Sequence, residues 1–177
     1  MLYYYDADKT FTSADKPFFT ASQIYEMSSV TCLIPKDMVL SNDCTKMALQ
    51  LDEFRKAGCT GFAKLHLGFK EYDQDGREAF QIPEIRAYIR KLYTMYPELL
   101  LYFPHGEDYY YASCLLDVDF VRNGNRNKVT VRSTASNRAK MQEIDEACRW
   151  YKSRMCDDYC RLHDEYHTDS NTSKSNC

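Results

Sequence analysis

The feature that most narrows the folds open to this chain is the dipeptide Asn123-Gly124, set between two runs in which apolar and polar residues alternate. A two-residue hairpin turn with the right twist needs positive φ, which asparagine and glycine reach at low cost, so Asn-Gly in this setting signals an antiparallel hairpin. Its strands are expected from about Tyr109 to Arg122 and from Arg126 to Arg132. With Asn123-Gly124 as the turn, Asp119 faces Lys128 and Asp117 faces Thr130 on one side. Val118 then faces Val129, and Leu116 faces Val131, on the other. A turn displaced by one residue preserves this parity, so the charged face stays charged.

Beyond the hairpin, Met141, Ile144, Cys148, Tyr151, Met155, Tyr159, Leu162 and Tyr166 fall three and four apart, the seam of a long amphipathic helix starting near Ser136. Upstream, Thr20 and Gln23 form a capping box for a short helix that turns Ile24 and Met27 inward, and the β-rich run Val30 to Ile34 stops at Pro35. Ser41 or Asn42 is placed to cap a helix striped by Cys44, Met47, Leu51 and Phe54, with Gly58 as its left-handed exit. Ala63, Leu65, Leu67 and Phe69 alternate with Lys64, His66, Gly68 and Lys70, which predicts a strand with one buried and one basic face. Pro83 opens a helix carrying Ile85, Ile89, Leu92 and Tyr96, and Leu99 to Phe103 reads as an apolar strand. The elements predict an α+β fold over residues 1–167, with helices on one face of a mainly antiparallel sheet, a late hairpin and a long C-terminal helix. Residues 168–177 read as a polar tail.

Composition bounds the function. With 177 residues, 44% of them hydrophobic, one core is the expectation. The net charge of −3 argues against a surface wholly adapted to nucleic acid or to anionic membrane. No apolar run approaches the roughly 18 residues that span a bilayer, and the N-terminus lacks a basic region followed by an apolar one, so the expectation is a cytoplasmic protein. The eight cysteines are then expected to be free thiols, with Cys44 and Cys148 packing on helix stripes as small hydrophobes.

Several residue patterns carry chemistry. Between Asp119 and Glu143 lie six cations, Arg122, Arg126, Lys128, Arg132, Arg138 and Lys140, and no acid, a basic hairpin and helix start suited to a phosphate or an acidic partner. Lys64, His66 and Lys70 would add a second basic strand face, of the kind RNA-binding sheets use. Asp117 and Asp119 share one strand face, as in enzymes that hold Mg²⁺ near phosphate, but a cross-strand ion pair explains them more simply. Cys156, Cys160, His163 and His167 share a helix face, yet the outer two are roughly 16 Å apart along the axis at about 1.5 Å per residue, so one helix cannot close all four on one Zn²⁺. Glu71, Asp73, Asp75 and Gly76 begin like a calcium loop, but Ile82 stands where a bidentate glutamate is required. Cys114, Cys59 and His105 supply the residue types of a thiol nucleophile and base without a spacing that joins them.

The segment Tyr3 to Thr10, YYYDADKT, resembles the first motif of haloacid-dehalogenase-type phosphohydrolases. The resemblance implies Asp6 as a nucleophile and Asp8 as an acid/base beside Mg²⁺.

Fifteen tyrosines, with runs at Tyr3 to Tyr5 and at Tyr109, Tyr110 and Tyr111, must put some rings on exposed strand faces, where tyrosine anchors protein interfaces. Contact surface thus outweighs any complete active site. The expected function is macromolecule binding without a cofactor or resident metal, and the expected partner is a protein. Such a chain would regulate or inhibit a nucleic-acid-handling complex, as phage and mobile-element proteins of the anti-CRISPR kind do. The alternatives are a Mg²⁺-dependent phosphate-processing enzyme using Asp6 and Asp8 or Asp117 and Asp119, and a direct nucleic-acid binder.

Overall fold

The computed structural model describes residues 6–11, 15–58, 61–72, 79–102, 113–124 and 126–166; of these, residues 6–8, 101–102, 123, 126–128 and 155–166 are described by their backbone alone. Strands and helices alternate through the first third: β1 (Asp6–Thr10), α1 (Ala21–Glu26), β2 (Ser29–Ile34), α2 (Lys36–Ser41), α3 (Thr45–Lys56), a 3-10 turn (Phe62–Lys64) and β3 (Leu65–Phe69). Then come α4 (Pro83–Met95), a 3-10 segment (Pro97–Tyr102), β4 (Val118–Asn123), β5 (Arg126–Val131) and α5 (Ala135–Tyr166).

The chain has both helices and sheets, as an α+β reading requires, but its larger sheet corrects the expectation of antiparallel strands. The β1, β2 and β3 strands lie in that order and every pair is parallel. Parallel neighbours need a long crossover, and each of these connections carries a helix. Antiparallel pairing is confined to β4 and β5, which form a separate two-stranded ribbon.

Burial explains the sheet. In β2, Val30, Cys32 and Ile34 are buried while Ser29, Thr31 and Leu33 are half-buried. The parallel register sets Leu65, Leu67 and Phe69 of β3 beside the three buried residues, continuing one apolar face. Met47, Leu51 and Phe54 of α3 and Ile85, Tyr88, Ile89 and Leu92 of α4 complete the core. Both helices follow their expected stripes, with Pro83 in the first turn of α4 and Gly58 at φ 81 just past α3.

Polar side chains fix how α1 sits. The capping box forms, and Glu53 of α3 accepts a hydrogen bond from the Ala21 amide at 2.8 Å. Gln50, buried, both accepts from and donates to the Phe19 backbone at 3.0 Å. At the other end of α1, Lys64 donates to the carbonyls of Ile24 and Tyr25 at 2.9 and 2.8 Å. Lys64 therefore belongs to a helix terminus and not to a basic strand face; residues 62–64 form the 3-10 turn, and β3 starts one residue later.

Three further expectations change. Asn42 does not cap α3 but ends the additional helix α2, at φ 54, and the Asp43 carboxylate accepts from the Thr45 amide at the start of α3. Leu99 to Phe103 was expected as a strand, and the chain there runs as a 3-10 segment up to Tyr102. Glu98 of that segment is buried and takes a two-pronged pair from Arg55, with Nε at 2.8 Å and Nη2 at 3.0 Å, while the Arg55 guanidinium lies 4.6 Å from the Tyr96 ring centroid. Of the long strand expected from Tyr109, residues 113–117 are not in a strand and β4 begins at Val118.

Candidate functional site

The hairpin and the first turn of α5 meet in one polar joint. Thr134, just ahead of the helix, accepts from the Asn137 amide at 3.1 Å, as an N-cap does. The Asn137 side chain, 4% exposed, accepts from the Asp117 amide at 2.9 Å and donates to the carbonyls of Asp117 and Arg132 at 2.7 and 2.8 Å. One amide thus closes the entry to β4, the exit of β5 and the start of α5 on each other.

The ribbon's register places its charges. Val118 pairs with Val131, Asp119 with Thr130, Val121 with Lys128 and Asn123 with Arg126. The turn is therefore one residue later than Asn123-Gly124 implied, with Gly124 at φ 64. Parity survives the shift, as a displacement of one turn residue requires, but the partners change. Asp119 does not meet Lys128. Instead Arg132 donates to Asp119 from Nε and Nη2 at 2.9 and 2.6 Å, and its Nη1 lies 3.3 Å from the Asp117 carboxylate. These hydrogen bonds hold the Asp119 carboxyl below the usual carboxylate range.

This geometry sorts the expected basic patch. Arg132 is occupied by two carboxylates, and Lys140 pairs with Glu143 at 3.1 Å on the surface. Arg122 and Arg138 are exposed and have no carboxylate partner among the described residues. Arg138 and Arg149 border a shallow groove of about 440 Å³ between the end of β5 and α5, floored by Met141. The backbone of Arg126 and Lys128 lies in β5. The ribbon and α5 also expose apolar residues: Val121 of β4 is 49% exposed and Trp150 of α5 is 55% exposed, with the Arg154 guanidinium 5.4 Å from its ring centroid.

The other candidates fall apart or lie elsewhere. Asp117 and Asp119 share a guanidinium, and among the described residues no three His, Cys, Asp or Glu side chains gather closely enough to hold a metal. Asp6 and Asp8 fall on β1, paired with Ser29 and Thr31 at one border of the parallel sheet. His66 and Lys70, both exposed, remain of the second basic face. Burial pushes the Cys32 thiol up to about 12 and those of Cys114 and Cys148 to about 11, so these sulfurs are protonated and poor nucleophiles at neutral pH. Cys32, Cys44 and Cys148 are free thiols. Cys156, Cys160 and His163 are placed on α5 by backbone alone. Tyr3 to Tyr5, Cys59, Asp73 to Gly76, His105, the run Tyr109, Tyr110 and Tyr111, His167 and residues 168–177 lie outside the described residues.

Two arginines that the sequence reading passed over line a second cleft. Arg86 and Arg90, one turn apart on α4, face the inner side of the ribbon base. Arg86 donates to the Phe80 carbonyl at 3.2 Å and to the Ser113 carbonyl at 2.6 Å, and Arg90 Nε donates to the Cys114 carbonyl at 2.9 Å. Their i, i+4 spacing on the polar side of α4 was the available signal.

Among the described residues no helix is long and apolar enough to cross a membrane. Compared with protein-family models, with curated proteins and with solved structures, the chain matches none.

Proposed function

We propose that the chain acts by binding another protein, through the corner where the β4–β5 ribbon meets the first turns of α5. The observation that carries this reading is the charge left over there. Arg132 is neutralised by Asp117 and Asp119, while Arg138 and Arg149 on α5 and Arg122 toward the ribbon tip stay exposed without a carboxylate partner among the described residues; Val121 of β4 and Trp150 farther along α5 are exposed as well. Cations on elements that also expose apolar side chains suit an acidic protein surface, because the charges steer encounter and the apolar groups supply contact area. A partner drawn from a nucleic-acid-handling complex would make the chain a regulator or inhibitor of that complex.

The test is affinity capture from the native host with the wild-type chain and with Arg122→Glu plus Arg138→Glu, each after nuclease treatment. The expected result is a protein partner retained by the wild type through nuclease treatment and lost with the charge-reversed variant. Partners that are identical for both chains, or that disappear with nuclease, count against the proposal; the second outcome favours direct nucleic-acid binding.

A further inference from the structure

We infer that the cleft between α4 and β4 is an oxyanion site that takes the phosphoryl group of a small phosphorylated molecule. It is an open cleft of about 420 Å³ whose lining includes Arg86, Arg90, Pro83, Leu116, Val118 and Phe120. That volume falls in the range of small-ligand clefts, and the lining joins apolar walls to a few fixed polar groups, as such clefts do.

The charge within it is one-sided. Asp117 is the one acid in the lining, and its carboxylate is paired with Arg132 on the ribbon's other side. Neither Arg86 nor Arg90 has a carboxylate partner among the described residues; their acceptors are backbone carbonyls and the Ser113 hydroxyl. Two like charges at i, i+4 repel each other on a helix. A bound anion turns that cost into attraction.

The guanidinium groups are also held in place. Arg86 is fixed by Phe80 and Ser113, with its Cζ 5.3 Å from the Phe120 ring centroid. Arg90 is anchored by Nε to Cys114, which leaves both terminal NH₂ groups without an acceptor among the described residues. Those two groups form the fork that pairs with phosphate oxygens in bidentate fashion. Ordering an arginine ahead of its ligand lowers the entropy lost on binding. The carbonyl anchors contribute no charge that would compete with an anion.

The site is independent of the docking corner, so each proposal can fail alone. Isothermal titration of the full chain with inorganic pyrophosphate at fixed ionic strength tests it. Saturable one-to-one binding is expected, weakened about tenfold or more by Arg90→Gln, the loss that one charge-assisted pair accounts for, and unchanged by Lys16→Gln, an exposed lysine ahead of α1 that does not line the cleft. Absence of saturable binding at millimolar pyrophosphate overturns the proposal, as does equal binding by Arg90→Gln. Citrate binding more tightly than pyrophosphate overturns the phosphoryl assignment in favour of a carboxylate ligand. Should Arg90→Gln unfold, Arg90→Lys keeps the charge but loses the fork; weaker pyrophosphate binding by that variant is then expected, and undiminished binding overturns the proposal.

Discussion

In the parallel sheet, Val30, Cys32 and Ile34 of β2 are wholly buried and share one apolar core with Met47, Leu51 and Phe54 of α3. In the ribbon, Val118, Val129 and Val131 are only half-buried where they pack against that core, Arg132 with its two aspartates clamps the two strands to each other, and Asn137 joins them to α5. A two-stranded ribbon is marginal by itself, so it depends on such ties. The sheet is held by non-directional apolar burial. The ribbon combines a thinner apolar contact with a few directional hydrogen bonds. Changes in the two regions should therefore act with different size and reach.

Phe54→Ala should cause the largest loss. It opens a cavity at a fully buried position packed on Phe62, at a cost of about 3–5 kcal/mol that destabilises the whole molecule. Urea denaturation followed by circular dichroism measures it. Asn137→Ala should come next, on the order of 2 kcal/mol, because it leaves the Asp117 amide without its acceptor and takes one of two donors from each of the carbonyls of Asp117 and Arg132. A loss as large as that of Phe54→Ala would mean that the ribbon belongs to the same cooperative core.

The smallest effect concerns acid. Burial works against the charged form of Glu53, but hydrogen bonds from Lys56 and the Ala21 amide outweigh it, so the folded-state pKa lies below the ordinary glutamate value. A depressed carboxyl adds stability above the unfolded-state pKa and loses it as pH falls through the folded-state value. Glu53→Gln should therefore be less stable than wild type at neutral pH, and the difference should shrink between about pH 5 and pH 3. Urea midpoints across that range check it, and a constant difference would refute the assignment.

What the sequence revealed follows the same division. Local signals were legible: the Thr20 and Gln23 capping box, Pro83 at the start of α4, the stripes of α3 and α4, and the parity of the hairpin faces all appear in the structure. Strand direction was not, because alternation of apolar residues specifies a face and says nothing of whether the neighbour runs parallel. The opening β-α-β-α-β order did carry that information, and the late hairpin signal outweighed it. Lys64 continued the alternation of β3, but its acceptors, Ile24 and Tyr25, lie some forty positions upstream. The apolar run after Pro97 fitted a strand equally well until Arg55 claimed Glu98. Arg132 looked like one more cation of the patch because its pairing with Asp117 and Asp119 depends on a register that the Asn-Gly signal misplaced by one residue. Arg86 and Arg90 escaped notice because their anchors, Ser113 and Cys114, are set by tertiary structure.

Hydrogen–deuterium exchange of the wild type and of Asn137→Ala tests most directly whether the ribbon is a separately held element. The expectation is that β4 and β5 amides exchange faster than those of β2 in the wild type, and that Asn137→Ala accelerates β4, β5 and the first turn of α5 while leaving β2 protected. Equal acceleration of β2 and β5 would show one cooperative unit and contradict the account.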